Sequence, residues 1–244
     1  MEHILQTRGL SVEFSGFKAI SELDFKLNRG ELRVVLGPNG AGKTTLMDLI
    51  TGKTKPTSGK VIFNKIDITG KEPYSIARLG IGRKFQGPNI FDNMTVYENI
   101  KVSFRGIHEV KKALFHRTKA DIENKVEHIL DKINLKNKSR HMANTLSHGE
   151  KQWLEMGMLL AQDPELIILD EPTTGMTAEE TYKTGEIIQN LFKGHSVVVV
   201  EHDMAFVRQV ARTVTVLHQG KFLAEGTLEE IEQNKEVQDV YLAG

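Results

Sequence analysis

Cysteine is absent from the 244-residue sequence. Disulfide bonds and thiolate metal sites are therefore excluded. An excess of charge of one sign is also lacking, because 32 Lys and Arg residues balance 32 Asp and Glu residues. This balance gives no sign of a nucleic-acid partner or of direct attraction to an anionic membrane.

Long hydrophobic runs are missing as well. The longest aliphatic runs, such as VVVV at 197–200, are far too short to span a bilayer, and the N-terminus has no apolar stretch of signal-peptide length. We therefore expect a soluble chain whose membrane role, if it has one, comes through a partner.

Short β-rich apolar runs alternate with helix-like stretches along much of the chain. The runs lie at 32–37, 165–170, 196–203 and 213–217, and the helical patterns at 43–51, 149–161, about 178–193 and 203–212. Unbroken Val, Ile and Leu runs are typical of strands that are covered on both faces. The alternation predicts an α/β domain with a parallel sheet.

Two regions depart from this alternation. The opening stretch and the segment 59–70 alternate apolar and polar residues, which predicts antiparallel strands. Residues 86–160 are richer in charged helical pattern and predict a helical subdomain inserted into the α/β core formed by 1–85 and 161–244. Its Lys and Arg residues are interleaved with acids, which favours a solvated face.

A glycine-rich segment follows the first apolar strand. It matches G-x-x-x-x-G-K-[ST], the pattern of a loop whose inward-facing N–H groups bind phosphate oxygens. Glycines permit the tight curl, and the following helix adds its positive end. The lysine would reach the β- and γ-phosphates and the last residue would ligate Mg²⁺. The matching residues are Gly37, Pro38, Asn39, Gly40, Ala41, Gly42, Lys43 and Thr44, followed by Thr45.

Two acids at the end of an apolar strand supply the carboxylates that a phosphate-binding loop needs for Mg²⁺ and for water. In LIILDEP, Asp170 ends the apolar run and Glu171 follows it. Asp170 is expected to hold Mg²⁺ directly or through water, and Glu171 to orient or deprotonate the attacking water.

The tetrapeptide NKID at 64–67 resembles the guanine-reading element of GTPases. It lies only about twenty residues after the phosphate loop and before the Asp-Glu strand, whereas a guanine reader belongs after a later core strand. We interpret it as a polar turn between two antiparallel strand segments.

The segment TLSHGEKQWLEMGMLLAQDPELIILDEPTTGMT (145–177) resembles the ABC ATPase family, where a signature Leu-Ser-Gly-Gly-Gln precedes the Asp-Glu strand. The resemblance covers essentially the whole chain. It implies a RecA-like P-loop core with an N-terminal antiparallel β-subdomain and an inserted helical subdomain. In the family the signature binds ATP held by the other protomer, and the corresponding residues are Ser147, His148, Gly149 and Glu150.

Other positions match the family in order. Gln86 resembles the glutamine that senses Mg²⁺ and water, and His202 resembles the switch histidine that contacts the γ-phosphate. Phe14 resembles the aromatic residue that stacks on adenine. The resemblance thus implies Glu171, His202, Gln86 and Lys43 as catalytic residues, with Thr44, Gln86 and Asp170 around Mg²⁺.

Within the family, the segments FQGPNIFDNMTVYENI and HDMAFVRQVARTVTVLHQGKFLAEGTLEEIEQNKEVQDVYLAG resemble the ATPases of branched-chain amino-acid and urea importers. His148 and the pair Gln152-Trp153 are similar to the urea-type subunit in particular. We therefore expect a urea importer subunit, with a branched-chain amino-acid importer as the alternative. This subunit does not touch the transported substrate, so the sequence leaves the substrate open.

Three positions depart from the family pattern. Thr177 stands where an Asp usually helps the two ATP sites communicate. His148 and Glu150 replace a Gly and a Gln of the signature, and Glu150 adds negative charge near the anion site. These changes put the coupling between sites in question.

The resemblance implies a head-to-tail dimer of ATPase subunits, identical or related, that ATP–Mg²⁺ closes and hydrolysis reopens. Partners would be membrane permease subunits and, indirectly, a substrate-binding protein, with no nucleic acid. The chain would then lie on the cytoplasmic face of the membrane. Two rivals are an ABC ATPase of DNA repair, chromosome organisation or translation, and a module that scarcely hydrolyses ATP. The single cassette argues against the first and Glu171 against the second.

Overall fold

A computed structural model describes residues 2–84, 87–104 and 119–242. Their contacts form two compact units, each of which is described by itself. The first comprises Met1–Arg83, Glu165–Glu171 and Gly194–Gly244, and the second comprises Lys84–Pro164 and Pro172–Lys193. The range 86–160 that the sequence predicts for a helical subdomain lies inside the second unit, which also contains 172–193.

A six-stranded sheet carries the α/β pattern. Its strands are β3 (Leu32–Leu36), β6 (Ile81–Lys84), β7 (Leu166–Asp170), β8 (Ser196–Val200), β9 (Thr213–His218) and β10 (Lys221–Gly226), in the spatial order β10-β9-β3-β8-β7-β6. Strand β3 pairs in parallel with β8 and β9, and β7 with β8. Every residue of β7 and β8 is buried, which confirms the prediction of strands covered on both faces.

A second, antiparallel sheet has the order β2-β1-β4-β5. Its strands are β1 (His3–Phe14), β2 (Phe17–Asn28), β4 (Ser58–Phe63) and β5 (Ile66–Asp67). Between β4 and β5, Asn64 and Lys65 have φ values of 48° and 66°. Two consecutive residues with positive φ form the tight turn that suits a two-residue hairpin. The prediction that NKID is a polar turn between antiparallel segments is confirmed.

The helices of the first unit flank these sheets. They are α1 (Lys43–Ile50), α2 (Pro73–Leu79), α7 (Met204–Val210), α8 (Leu228–Gln233) and α9 (Lys235–Leu242). Apolar residues of α1 and of both sheets share one buried cluster that includes Leu46, Leu5 and Ile168. This shared core fixes the position of α1, and with it the loop that precedes α1.

The second unit is helical in its described residues. It contains α3 (Val96–Val102), α4 (Lys119–Lys132), α5 (His148–Ala161) and α6 (Ala178–Leu191), with short 3-10 turns at Lys136–Lys138 and Ala143–Thr145. Gly157 of α5 lies where neighbouring helices come close, since an added Cβ would lie 2.8 Å from Ile100 Cδ1 and 3.0 Å from Ile129 Cγ2. The Trp153 indole N–H donates to the Thr184 hydroxyl over 2.9 Å and joins α5 to α6.

Candidate functional site

The loop between β3 and α1 needs glycine at specific positions. Gly37, Gly40 and Gly42 have φ values of 153°, 77° and 98°. A Cβ on Gly37 would lie 2.3 Å from the backbone oxygen of Leu217, and one on Gly42 would lie 2.7 Å from Ile20 Cδ1. At these two positions any side chain would collide with neighbouring atoms. The glycines therefore let the loop curl tightly against the sheet.

The remaining residues of the loop complete the start of α1. Gly42 is the N-cap and provides no side chain to accept from the first N–H groups of the helix, which suits an anion at this end. Thr44 is exposed in the first turn, and Thr45 is partly buried. Ala41 is buried, Pro38 is partly buried and Asn39 is exposed.

Lys43 is buried at the start of α1, with 8% of its surface exposed. Its Nζ donates hydrogen bonds to the backbone oxygens of Gly37 (2.7 Å) and Pro38 (3.0 Å). Burial lowers the pKa of Lys43, while the carboxylates of Glu171 and Asp170 act in the opposite direction. The loop therefore folds around its own ammonium group, close to the acid that ends β7 and the acid that follows it.

Asp170, the last residue of β7, has 1% of its surface exposed. Its Oδ2 accepts a hydrogen bond from Arg83 Nη2 over 2.7 Å. Its Oδ1 is buried and has no hydrogen-bond partner among the described residues. A buried carboxylate oxygen without a partner is costly, and it is the ligand type that a hard divalent cation prefers. This oxygen therefore fits Mg²⁺.

The described residues contain no cluster of three or more His, Cys, Asp or Glu side chains that could hold a metal. Mg²⁺ does not need one, since it commonly binds through one or two carboxylates together with water and phosphate oxygens. A single carboxylate with a free oxygen is therefore a sufficient protein contribution to such a site.

Glu171 follows Asp170 with a positive φ of 46°. Its N–H donates to the Val200 oxygen over 2.9 Å, which ties the end of β7 to the end of β8. His202 Nδ1 lies 3.9 Å from Glu171 Oε1 and 3.6 Å from Glu201 Oε2. The buried Glu201 carboxylate also accepts the His202 N–H over 2.8 Å. The structure thus brings the predicted Glu171 and His202 together, and Glu201 anchors the histidine backbone.

Phe14 ends β1 and is paired with Phe17 across the hairpin to β2. Their exposed fractions are 48% and 69%. Large apolar side chains this exposed offer a flat surface on which a planar ring could stack.

The predicted signature residues begin α5 in the second unit. Ser147 is the N-cap, and its hydroxyl accepts the Glu150 N–H while the Glu150 carboxylate accepts the Ser147 N–H. The other oxygen of Glu150 accepts from Lys138 Nζ over 2.6 Å. Burial alone would raise the pKa of Glu150, but the bonds from Lys138 and Ser147 outweigh it and hold that pKa low. The negative charge of Glu150 is therefore paired with Lys138 within the chain.

His148 and Gly149 contact the segment that follows β7. His148 Nε2 lies 3.1 Å from the Thr174 backbone oxygen. A Cβ on Gly149 would lie 2.6 Å from Glu180 Oε1, and the Ser147 hydroxyl donates to the same oxygen over 3.4 Å. Gly149 therefore leaves room for the Glu180 carboxylate.

Thr177 is the N-cap of α6. Its hydroxyl accepts the Glu180 N–H, and its own N–H donates to Glu180 Oε2 over 3.0 Å. The residue that departs from the family pattern thus has a local structural role. The predicted Gln86 lies outside the described residues.

A model of a known protein family, described as ABC transporter, matches residues 20–174. The chain belongs to this family. As an ABC ATPase it binds nucleotide and hydrolyses ATP as a transporter subunit, so the expected family, fold class and enzyme class are confirmed.

Curated relatives match this ABC ATPase over nearly its whole length. The high-affinity branched-chain amino acid transport ATP-binding protein LivG of Salmonella typhimurium is 33% identical over 98% of this chain and 97% of its own. BraF of Pseudomonas aeruginosa is 33% identical over the same shares. The probable LivG of Archaeoglobus fulgidus is 35% identical over 98% of this chain and 95% of its own.

Solved structures agree with the fold. A crystal structure of the ADP conformation of MJ1267, an ATP-binding cassette of an ABC transporter, has a TM-score of 0.84 and 29% identity and covers all of both chains. A nucleotide-free cassette from an ABC transporter has a TM-score of 0.82 and 30% identity over 98% of this chain and 99% of its own. Within the described part of this ABC ATPase, no helix is long and apolar enough to cross a membrane.

Arg83 is a residue of the site that sequence reasoning missed. It lies three positions before Gln86, in the strand β6 that the sequence predictions also lack, and it donates to Asp170 as described above. The sequence offers no signal for its role beyond a cationic residue in the short segment IGRK.

Proposed function

We propose that this ABC ATPase drives an importer for branched-chain amino acids. The names of its relatives carry the proposal, because LivG and BraF proteins that match 95% or more of their own length are named for that transport. The urea assignment rests on His148, Gln152 and Trp153 alone. The relatives therefore support a branched-chain amino-acid importer better than the expected urea importer.

In this proposal the loop from Gly37 to Thr45 and the Lys43 ammonium bind the β- and γ-phosphates of ATP, and Phe14 stacks on adenine. Asp170 holds Mg²⁺ together with Thr44 and Gln86. The bound Mg²⁺ supplies positive charge that neutralises the triphosphate.

Glu171 acts as the general base, since it follows the metal carboxylate and lies near His202. Its carboxylate orients the attacking water and accepts its proton. His202 contacts the γ-phosphate from the end of β8, and its backbone is held by Glu201. Lys43 stabilises the charge that spreads over the transferring phosphoryl group.

The signature residues act on ATP held by a second ATPase subunit, identical or related, in a head-to-tail dimer. Ser147 and the backbone of Gly149 provide hydroxyl and N–H donors at the start of α5. Further partners are permease subunits and, through them, a substrate-binding protein. The chain then works on the cytoplasmic face of the membrane.

Replacing Glu171 with Gln tests the catalytic assignment. Glu171→Gln keeps the size of the side chain but removes the base, so we expect the ATP turnover rate to fall by about 100-fold or more while ATP affinity is retained. Steady-state hydrolysis and equilibrium binding of a fluorescent ATP analogue measure the two quantities. Glu229→Gln, an exposed change in α8, is the matched control. Turnover at the unmutated rate would remove Glu171 from the mechanism.

Transport assays test the substrate. The chain is co-purified with its permease subunits, placed in vesicles with the binding protein and supplied with ATP and labelled leucine or urea. We expect ATP-dependent leucine uptake and no urea uptake. Urea uptake without leucine uptake would restore the urea assignment, and uptake of neither would overturn both.

A further inference from the structure

Arg83 connects the C-terminal end of α1 to the end of β7 through hydrogen bonds. Its side chain is 3% exposed. Nη1 donates to Asp48 Oδ1 over 2.5 Å and to Thr51 Oγ1 over 3.2 Å, while Nη2 donates to Asp170 Oδ2 over 2.7 Å. Asp48 and Thr51 belong to the end of α1, the helix that starts with Lys43. One guanidinium group therefore joins this helix to the acidic end of β7.

The geometry of the link requires arginine. A guanidinium group presents its N–H donors in a rigid, planar fork, and here the two terminal nitrogens serve different carboxylates. A lysine ammonium is a single point charge on a flexible stem and cannot hold both acids in one fixed arrangement. The charge of Asp48 is also partly met by Lys53, whose Nζ lies 3.4 Å from Asp48 Oδ2.

The contact to Arg83 determines which oxygen of Asp170 remains available. Oδ2 is occupied by Arg83, whereas Oδ1 is buried and has no hydrogen-bond partner among the described residues. Without Arg83 the carboxylate could rotate and exchange its two oxygens. With Arg83 in place, the carboxylate has one orientation, in which the same oxygen is always the available ligand.

We propose that Arg83 is a positioning residue for Mg²⁺: it fixes the Asp170 carboxylate relative to the phosphate-loop helix so that Oδ1 ligates the metal of the bound nucleotide. This rests on the proposed function, in which Asp170 holds Mg²⁺. Groups that hydrogen-bond a metal ligand orient it, and their loss typically costs about 10–100-fold in metal affinity. Arg83 acts through Asp170 and does not touch the metal.

The test measures how strongly Mg²⁺ strengthens nucleotide binding. The affinity of the full chain for a fluorescent ATP analogue is determined with Mg²⁺ and with EDTA, and the ratio of the two affinities gives the contribution of the metal. Mn²⁺ bound to the protein–nucleotide complex is measured independently by electron paramagnetic resonance. Wild type is compared with Arg83→Lys and Arg83→Met.

Arg33→Met provides the matched control. Arg33 is equally buried in the same unit and pairs with Glu31 and Glu225, but it lies at the start of β3, away from the phosphate loop at the end of that strand. Its loss should lower the stability of the fold and leave the Mg²⁺ ratio unchanged. Arg83→Lys keeps the positive charge and serves if Arg83→Met does not fold.

We expect both Arg83 variants to lose about 10-fold or more of the Mg²⁺ ratio and of Mn²⁺ affinity, with EDTA-state binding of the folded Arg83→Lys variant changed little. A purely structural role would lower both affinities together and leave the ratio at the wild-type value, which would overturn the proposal. A wild-type protein without any Mg²⁺ effect would instead overturn the proposed role of Asp170.

Discussion

At the scale of single residues, the glycine-rich loop between β3 and α1 depends on close backbone contact. Gly37 lies against the carbonyl group of Leu217 in β9. Gly37 directly follows β3, which is paired with β9. A backbone oxygen within a sheet cannot move aside without breaking its own hydrogen bonds. Gly40, in the same loop, has open space around it. The two glycines therefore differ in the reason for which they are needed.

Replacing each glycine with alanine separates these two reasons. Gly37→Ala adds a collision to an unfavourable φ, so we expect it to lower the free energy of unfolding by roughly 2–4 kcal/mol. Gly40→Ala adds only the unfavourable φ and should cost about 1 kcal/mol. Urea titrations followed by circular dichroism give both values. Equal decreases in the free energy of unfolding would show that β9 shifts to make room for the added methyl group at residue 37.

Sequence reading identifies candidate residues from short motifs. It predicts Lys43, Asp170 and Glu171 because each stands in a motif whose chemistry is complete within a few neighbouring residues. It does not predict Arg83, because its partners Asp48 and Asp170 are 35 and 87 positions away. Only the order of the strands brings such groups into contact. Pairings of this kind require the fold.

At the scale of elements, side chains at the N-terminus of several helices determine where those helices begin. In α5 and α6 a hydroxyl N-cap and a glutamate three residues later exchange hydrogen bonds with each other's backbone N–H groups. The same device begins α3 and α8. Thr177, which departs from the family pattern, therefore has a local role as the N-cap of α6.

Thr177 therefore has a stability role that substitution can measure. Thr177→Ala removes the cap of α6 and should lower the free energy of unfolding by about 1 kcal/mol. Thr177→Asp restores a good cap and should differ from wild type by only a few tenths of a kcal/mol. Thermal and urea unfolding provide the comparison. An unchanged Thr177→Ala protein would mean that packing alone determines where α6 begins.

Element positions could be predicted wherever the pattern was long and apolar. The helices α1, α5, α6 and α7 and the strands β3, β7, β8 and β9 lie at or within a few residues of their predicted positions. The sequence does not predict strands β6 and β10, because IGRK and KFLAEG carry charged side chains and lack an unbroken aliphatic run. Pairing with a neighbouring strand, rather than an intrinsic pattern, defines them.

At the scale of the whole molecule, a formal charge of zero conceals many local ion pairs. Arg29 donates to Glu165 over 2.8 Å, and that bond, together with one from Asn64, holds the pKa of Glu165 low. Hydrogen bonds from Thr69 lower the pKa of Asp67 to about 2. These carboxylates bind protons less readily in the folded chain than in the unfolded chain.

Acid should therefore weaken the fold. A carboxylate with a lowered pKa contributes stability that is fully present above its unfolded pKa, about 4.3 for Glu, and lost as the pH falls through its lower folded pKa. We expect the urea midpoint to fall as the pH drops below about 4.3. Glu165→Gln should reduce this dependence by less than about 1 kcal/mol, because the pair is half exposed.

The control for this measurement is Glu229→Gln, whose side chain is exposed. Its urea midpoint should follow the wild-type pH dependence. The only expected difference is a small loss of stability, because Glu229 lies in the first turn of α8. A Glu165→Gln protein with the full wild-type dependence would show that the Arg29 contact persists in the unfolded chain or contributes nothing.

The bonds from the Lys43 ammonium to the carbonyls of Gly37 and Pro38 have one more consequence. The loop acquires its curved shape when the chain folds, so the entropy of ordering it is lost at that stage and not on binding. Under the proposed function, ATP binding would exchange the two carbonyl partners of the Lys43 ammonium for phosphate oxygens, with the backbone around that ammonium already in place.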